Sequence, residues 1–244
     1  MKNNGNKTVW LVVLSLVGLA ACVGRSENML DQSVLGYMEY RDDIQKNVLI
    51  GRDLLSYHAP DFDEQSFFPP GSKWLIYCTA DMDNQPEGYK EVTLNGEPLP
   101  FIDGVFCQSA DTLLVLDNEQ PVKKAKGTLF QNLLYVTSLH MDSIGQQNKV
   151  ELFYSEKDTL VHYVDRNVYT LYVRSFQEAA AQDTLMEEIT LCNTFDLSSF
   201  LAAKRALETD TFYIQLKYLT NVSKGESNSG SPVTPTEKDY IPVK

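Results

Sequence analysis

Trp74, Ile76, Cys78 and Ala80 fall on one side of residues 73 to 80, and Lys73, Tyr77 and Thr79 on the other. Leu75 is the one apolar exception. A period of two belongs to a strand with one face in a core, and it makes Cys78 a core residue rather than a reactive thiol. Segments rich in β-branched and aromatic residues surround it: "VLGYMEY" (34–40), "VLIGRDLLSYH" (48–58) and "YKEVTLNG" (89–96), the last closing on an Asn-Gly turn signal. No helical period of useful length interrupts them. About five short strands in about 65 residues predict a small five-stranded barrel, placed over residues 31–100.

Residues 101–126 are less regular and read as a connecting segment, with Pro121, one apolar strand candidate "DTLLVLD" (111–117) and the basic run "PVKKAKG" (121–127). Strand patterns resume at 133–140, 149–155, 159–164, 168–176, 187–195 and 212–219, separated by polar turns. Regular spacing with turn signals predicts an antiparallel β-sandwich over 127–221. One short helix interrupts it, "SFLAAKRAL" (199–207), with Asp196 or Ser198 as cap and Phe200, Ala203 and Leu207 as its apolar stripe. From residue 222 to 244 the chain is Ser, Gly, Pro and charge, and is predicted to be a flexible tail. The predicted class is therefore all-β.

The N-terminus has a different pattern. "MKNNGNKT" carries Lys2 and Lys7 and no acid, and Val9 to Ala21 is an uncharged run dominated by Val, Leu and Ala. That run is shorter than the roughly 20 residues needed to cross a bilayer. A basic start, a short apolar middle and a small-residue end make residues 1–21 a secretory signal peptide. Leu19-Ala20-Ala21-Cys22 closes it and resembles a bacterial lipobox, the signal for diacylglycerol attachment to the Cys22 thiol and cleavage before it. Several acyl chains hold a protein stably on a membrane. Residues 22–30 then form a lipidated tether. The residues after Cys22 lack an acidic cluster, which favours the periplasmic side of the outer membrane over the cell surface.

The full chain carries a formal charge of −12, and loss of residues 1–21 removes two lysines and no acid, leaving −14. Such a surface repels phosphate backbones, so nucleic acid is not an expected partner. Beyond Cys22 only Cys78, Cys107 and Cys192 remain, an odd number at no metal-like spacing. His58, His140 and His162 lie far apart and form no local zinc pair. Nucleophile elbows and phosphate-cradling glycine loops are absent. The acidic loop "DMDNQPEG" (81–88) fails the calcium-loop template, because Pro86 and Val92 stand where Gly and Glu are required. No metal, cofactor or catalytic set is expected. Tyr37, Tyr57 and Tyr77 remain as candidates to stack a sugar ring or hold a peptide on the barrel.

The segments "PPGSKWLIYCTADMD" with "GYKEVTLNG", and "FDLSSFL" with "FYIQLKYL", resemble the NigD-like lipoproteins of Bacteroides-type bacteria, over about residues 31 to 220. The resemblance implies an N-terminal barrel of the oligonucleotide/oligosaccharide-binding (OB) type followed by a C-terminal β-sandwich. It also implies a cell-envelope lipoprotein. The expected function is a membrane-anchored, non-enzymatic binding module for an envelope protein or a glycan. The alternatives are a bacteriocin-immunity or toxin-related role, which the family name suggests, and a glycan-processing enzyme working through paired carboxylates.

Overall fold

The computed structural model describes residues 28–64, 66–108, 116–156, 161–180, 184–208, 210–220, 232–233 and 240–243. The signal peptide, Cys22, most of the tether and nearly all of the 111–117 strand candidate lie outside the described residues. The chain divides into two compact units, one ending at Pro98 and one beginning at Leu99.

The first unit is a closed five-stranded barrel. β1 (Met29–Arg41), β2 (Lys46–Gly51), β3 (Ser56–His58), β4 (Lys73–Asp81) and β5 (Lys90–Leu94) pair in the order β1-β2-β3-β5-β4, and β4 returns to β1. All pairs are antiparallel except β3 with β5. β1 closes the barrel by serving two partners: residues 29–37 pair with β4 and residues 36–41 with β2. Gly36 sits where the two ladders overlap, and a Cβ there would stand 2.1 Å from the Ile50 carbonyl oxygen. Only glycine allows that approach. The alternating side chains of β4 place Trp74, Ile76, Cys78 and Ala80 inside. Each large apolar side chain so buried contributes about 1.5–3 kcal/mol. Phe62, on a 3-10 turn at Pro60–Asp63, packs edge-on against Phe68, and Phe68 against Trp74. The predicted strand 48–58 is broken in two, because Leu54 turns the chain with φ 64°.

The second unit is a sandwich of two sheets around one core. In the first sheet β6 (Leu99–Asp103), β14 (Met186–Asp196), β10 (Leu133–Ser143) and β9 (Lys124–Phe130) lie side by side in that order. In the second, β7 (Val105–Gln108), β11 (Gln147–Tyr154), β13 (Arg166–Ala179) and β15 (Phe212–Leu219) do so, with β8 (Glu119–Gln120) and β12 (Val161–Tyr163) paired to β13. Leu134, Val136 and Phe195 from the first sheet meet Leu152, Leu171 and Ile214 from the second.

Three pairings are parallel, namely β6 with β14, β7 with β11 and β13 with β15, where an antiparallel sandwich was expected. After β13 the chain crosses to the first sheet as β14, passes through helix α1 (Ser198–Leu207), and returns beside β13 running the same way. A crossover of that kind gives a parallel pair, whereas a hairpin cannot.

Other differences have equally local causes. Within 101–126 the described residues include the end of β6, all of β7 and β8, and the start of β9, which belong to the second unit. The tail docks at its end, where β17 (Ile241–Val243) pairs with β15 and buries Ile241 and Val243; the short β16 (Pro232–Val233) pairs there too. Tyr240 stacks on Tyr163 at a 4.4 Å ring separation. Helix α1 buries Phe200, Leu201 and Lys204, while Ala203 and Leu207 are exposed. The Lys204 ammonium lies over the rings of Tyr154 and Tyr169, at 4.6 and 5.0 Å, so its stem and charge are both accommodated by aromatic faces. Asp196 accepts hydrogen bonds from the backbone and side chain of Ser198, which hold its carboxyl below the usual carboxylate range.

Candidate functional site

The three barrel tyrosines do not form one platform. Tyr57 is 1% exposed inside the barrel core, and its hydroxyl donates to Asp53 Oδ2 at 2.5 Å. Burial, reinforced by Asp53, holds its phenol far above the ordinary value. No face of that ring is open to a sugar, which corrects its expected role. Tyr37 and Tyr77 do share the outward face of β1 and β4, where Tyr37 opposes Lys73 and Ser33 opposes Tyr77. Four registers separate them, about 13 Å along the strands. One sugar ring cannot stack on both.

The three described cysteines, Cys78, Cys107 and Cys192, are free thiols. Cys78 and Cys192 are buried, Cys107 is partly so, and burial raises all three pKa values. At Cys107 the Glu151 carboxylate adds to that rise and Lys149 opposes it. Low thiolate character accompanies such shifts. His58 is buried in the barrel, with Nδ1 at 2.9 Å from the Asn47 carbonyl and Nε2 at 3.1 Å from Lys46 Nζ. Among the described residues, no group of three His, Cys, Asp or Glu side chains could hold a metal ion.

β10 carries a constellation that the sequence reading missed. Ser138, His140 and Asp142, spaced two apart, share the face turned to the sandwich interior, continuing from Leu134 and Val136. The His140 Nε2 is 2.8 Å from Ser138 Oγ. The composition is that of a nucleophile, base and acid, but the geometry is not. Nδ1 of His140 makes no hydrogen bond to Asp142, whose carboxylate is taken by Asn148 at 2.7 Å and Gln146 at 3.4 Å. Every member is at most 3% exposed. A substrate carbonyl has no way to the hydroxyl, and the base lacks its orienting partner. The cluster is a hydrogen-bonded polar end to the sandwich core.

An open site lies on the other face of the same sheet. Cross-strand rows there read Lys124–Leu139–Thr190 and Lys126–Thr137–Cys192. Lys124, Lys126, Thr137, Leu139 and Thr190, with Ser138 between Thr137 and Leu139 in the strand, line a shallow groove of about 200 Å³. The two lysines stand two residues apart on one strand face, about 7 Å from each other. Neighbouring Lys123 is paired with Glu188 at 2.5 Å. Two ammonium groups and two hydroxyls in one groove suit an oxygen-rich or anionic group. The signal for it in the sequence is "PVKKAKG", a basic run in a strongly acidic chain.

No family model matches the sequence, and a search of curated proteins finds no match. Solved structures do match the fold. An uncharacterized protein from Parabacteroides merdae aligns over 86% of this chain and 96% of its own, with 13% identity and a TM-score of 0.66. A candidate lipoprotein from Bacteroides fragilis aligns over 88% of this chain and 96% of its own, with 13% identity and a TM-score of 0.53. A NigD-like immunity protein from Bacteroides caccae also matches, over 87% of this chain and all of its own, with 12% identity. Its TM-score of 0.42 carries no argument on its own. At these identities the likeness is one of fold: a five-stranded barrel followed by a β-sandwich.

Proposed function

We propose that this chain is a lipid-anchored lipoprotein of the cell envelope that acts as a non-enzymatic binding module for a protein or glycan. The observation that carries this reading is Leu19-Ala20-Ala21-Cys22 at the end of the Val9–Ala21 run, behind a basic start. The described residues supply no helix long and apolar enough to cross a membrane; in this reading attachment falls to the acyl anchor at Cys22. The Ser138–His140 pair is at most 1% exposed, which favours binding over turnover. The Lys124–Lys126 groove is the surface assigned to the ligand, and the periplasmic side of the outer membrane is its location.

Washed membranes test both parts. Wild-type protein should stay in the pellet after a carbonate wash and crosslink to a specific partner there. Cys22→Ser should leave the washed pellet, and Lys124→Glu with Lys126→Glu should stay anchored but lose the crosslink. Retention of the serine variant contradicts the anchor. An unchanged crosslink in the double lysine variant contradicts the groove.

A further inference from the structure

The end of the barrel at which β1 begins carries exposed apolar side chains. Met29 is 46% exposed, Leu30 43% and Met82 42%. Their backbones meet at this end, where Met29 opposes Asp81 and Leu30 opposes the core residue Ala80 in the ladder and the Met82 amide donates to the Asn28 carbonyl; Met29 and Leu30 therefore extend from the two faces of the strand at the rim. Exposed apolar side chains from both strands at one barrel end offer a contact surface to an apolar or interfacial partner. Six residues, Val23 to Asn28, separate Cys22 from Met29. Fully extended, that length of chain spans at most about 25 Å. The nine residues of β4 span about 27–30 Å, so with the rim on the bilayer the far end of the barrel, at Gly71 and Ser72, stands clear of it, and the tether is long enough to allow that contact.

We propose that the rim of Met29, Leu30 and Met82 rests on the bilayer among zwitterionic headgroups while lipid at Cys22 holds the chain; the inference rests on the anchor reading above. Burial in the interface stabilises the contact in proportion to the apolar surface removed from water. The headgroup preference follows from charge. Asp31 and Asp81 flank the rim, Asp31 accepting from Thr79 and Asn95 and Asp81 from the Asp83 amide and Asn84. Carboxylates there repel phosphatidylglycerol and attract the ammonium of phosphatidylethanolamine.

The chain's own methionines report the contact. Met29 and Met82 are at the rim, Met141 and Met186 are comparably exposed in the second unit, and Met38 is buried. Mature chain beginning at Cys22, lipidated, is placed on vesicles of phosphatidylethanolamine and phosphatidylcholine and treated with a charged, membrane-impermeant chloramine. Sulfoxide at each methionine is read by mass spectrometry against the same chain without lipid in solution. Oxidation of Met29 and Met82 should slow by about threefold or more, with Met141 and Met186 unchanged, and added phosphatidylglycerol should reverse the protection. Equal rates at all four sites mean a body swinging freely and overturn the proposal. Protection of Met141 and Met186 instead also overturns it, as does protection that fades when protein is diluted on the vesicles, which assigns the rim to a second copy. If cells leave Cys22 without lipid, the anchor reading fails separately. A diacyl lipid coupled to Cys22 by maleimide, in a Cys107→Ser background, then gives the same readout.

Discussion

The His140 imidazole is fully buried, with Nε2 at 2.8 Å from Ser138 Oγ. Burial lowers its pKa below the ordinary 6.5, while the Asp142 carboxylate and the Pro121 carbonyl oppose that shift without reversing it. The unfolded chain therefore takes up a proton below pH 6.5 that the folded chain refuses. Stability is complete above that pH and falls as pH drops from 6.5 toward the folded value. Urea unfolding of His140→Gln between pH 7.5 and 5 should show a smaller loss on acidification than wild type; equal slopes would mean that His140 does not titrate differently on folding. Glu119 and Arg174 show the opposite treatment of buried charge. They form a buried pair, and the Arg174 guanidinium lies 5.1 Å from the ring centres of both Phe153 and Phe176. Neither feature was legible in the sequence. Ser138, His140 and Asp142 are marked only by even spacing on a strand, and Glu119 meets Arg174 across 55 residues of chain.

Among the elements, β1 does the most to define the barrel, and it does so through Gly36. Gly36→Ala forces a methyl against the Ile50 carbonyl, so it should lower stability by about 2 kcal/mol or more. A denaturation midpoint within error of wild type would remove the close approach as the reason for glycine there. β17 gives a second case. Removing residues 240–244 exposes the core around Ile241 and Val243, at an expected cost of about 3 kcal/mol. The milder Val243→Ala should move the urea midpoint the same way, and no shift in either would return this segment to the tail predicted from its composition. Strands with alternating faces, such as β4, were legible because one face is wet. β6 and β7 were not, since they are short and enter parallel pairs without hairpin turns. β17 has only three residues, within a polar segment, and its partner strand lies upstream. The helix was placed to within a residue, but its stripe was misjudged: Lys204 is buried over aromatic rings, while Leu207 reaches solvent.

The two bodies together give an acidic, all-β chain with its open groove on one sheet face of the sandwich and its apolar rim at one end of the barrel. The class and the order of the two units could be read from strand spacing. The candidate site could not, because tyrosines on a short strand such as β3 give no sign of which face is wet, and Tyr57 proved internal. The proposed envelope location rests on the thiol at residue 22. Intact mass analysis of the N-terminal peptide from membranes tests it. The expected species begins at Cys22 and carries a diacylglyceryl thioether with a further acyl group on its amine. A peptide that begins elsewhere, or a Cys22 with an unmodified thiol in membrane-bound protein, would contradict the account.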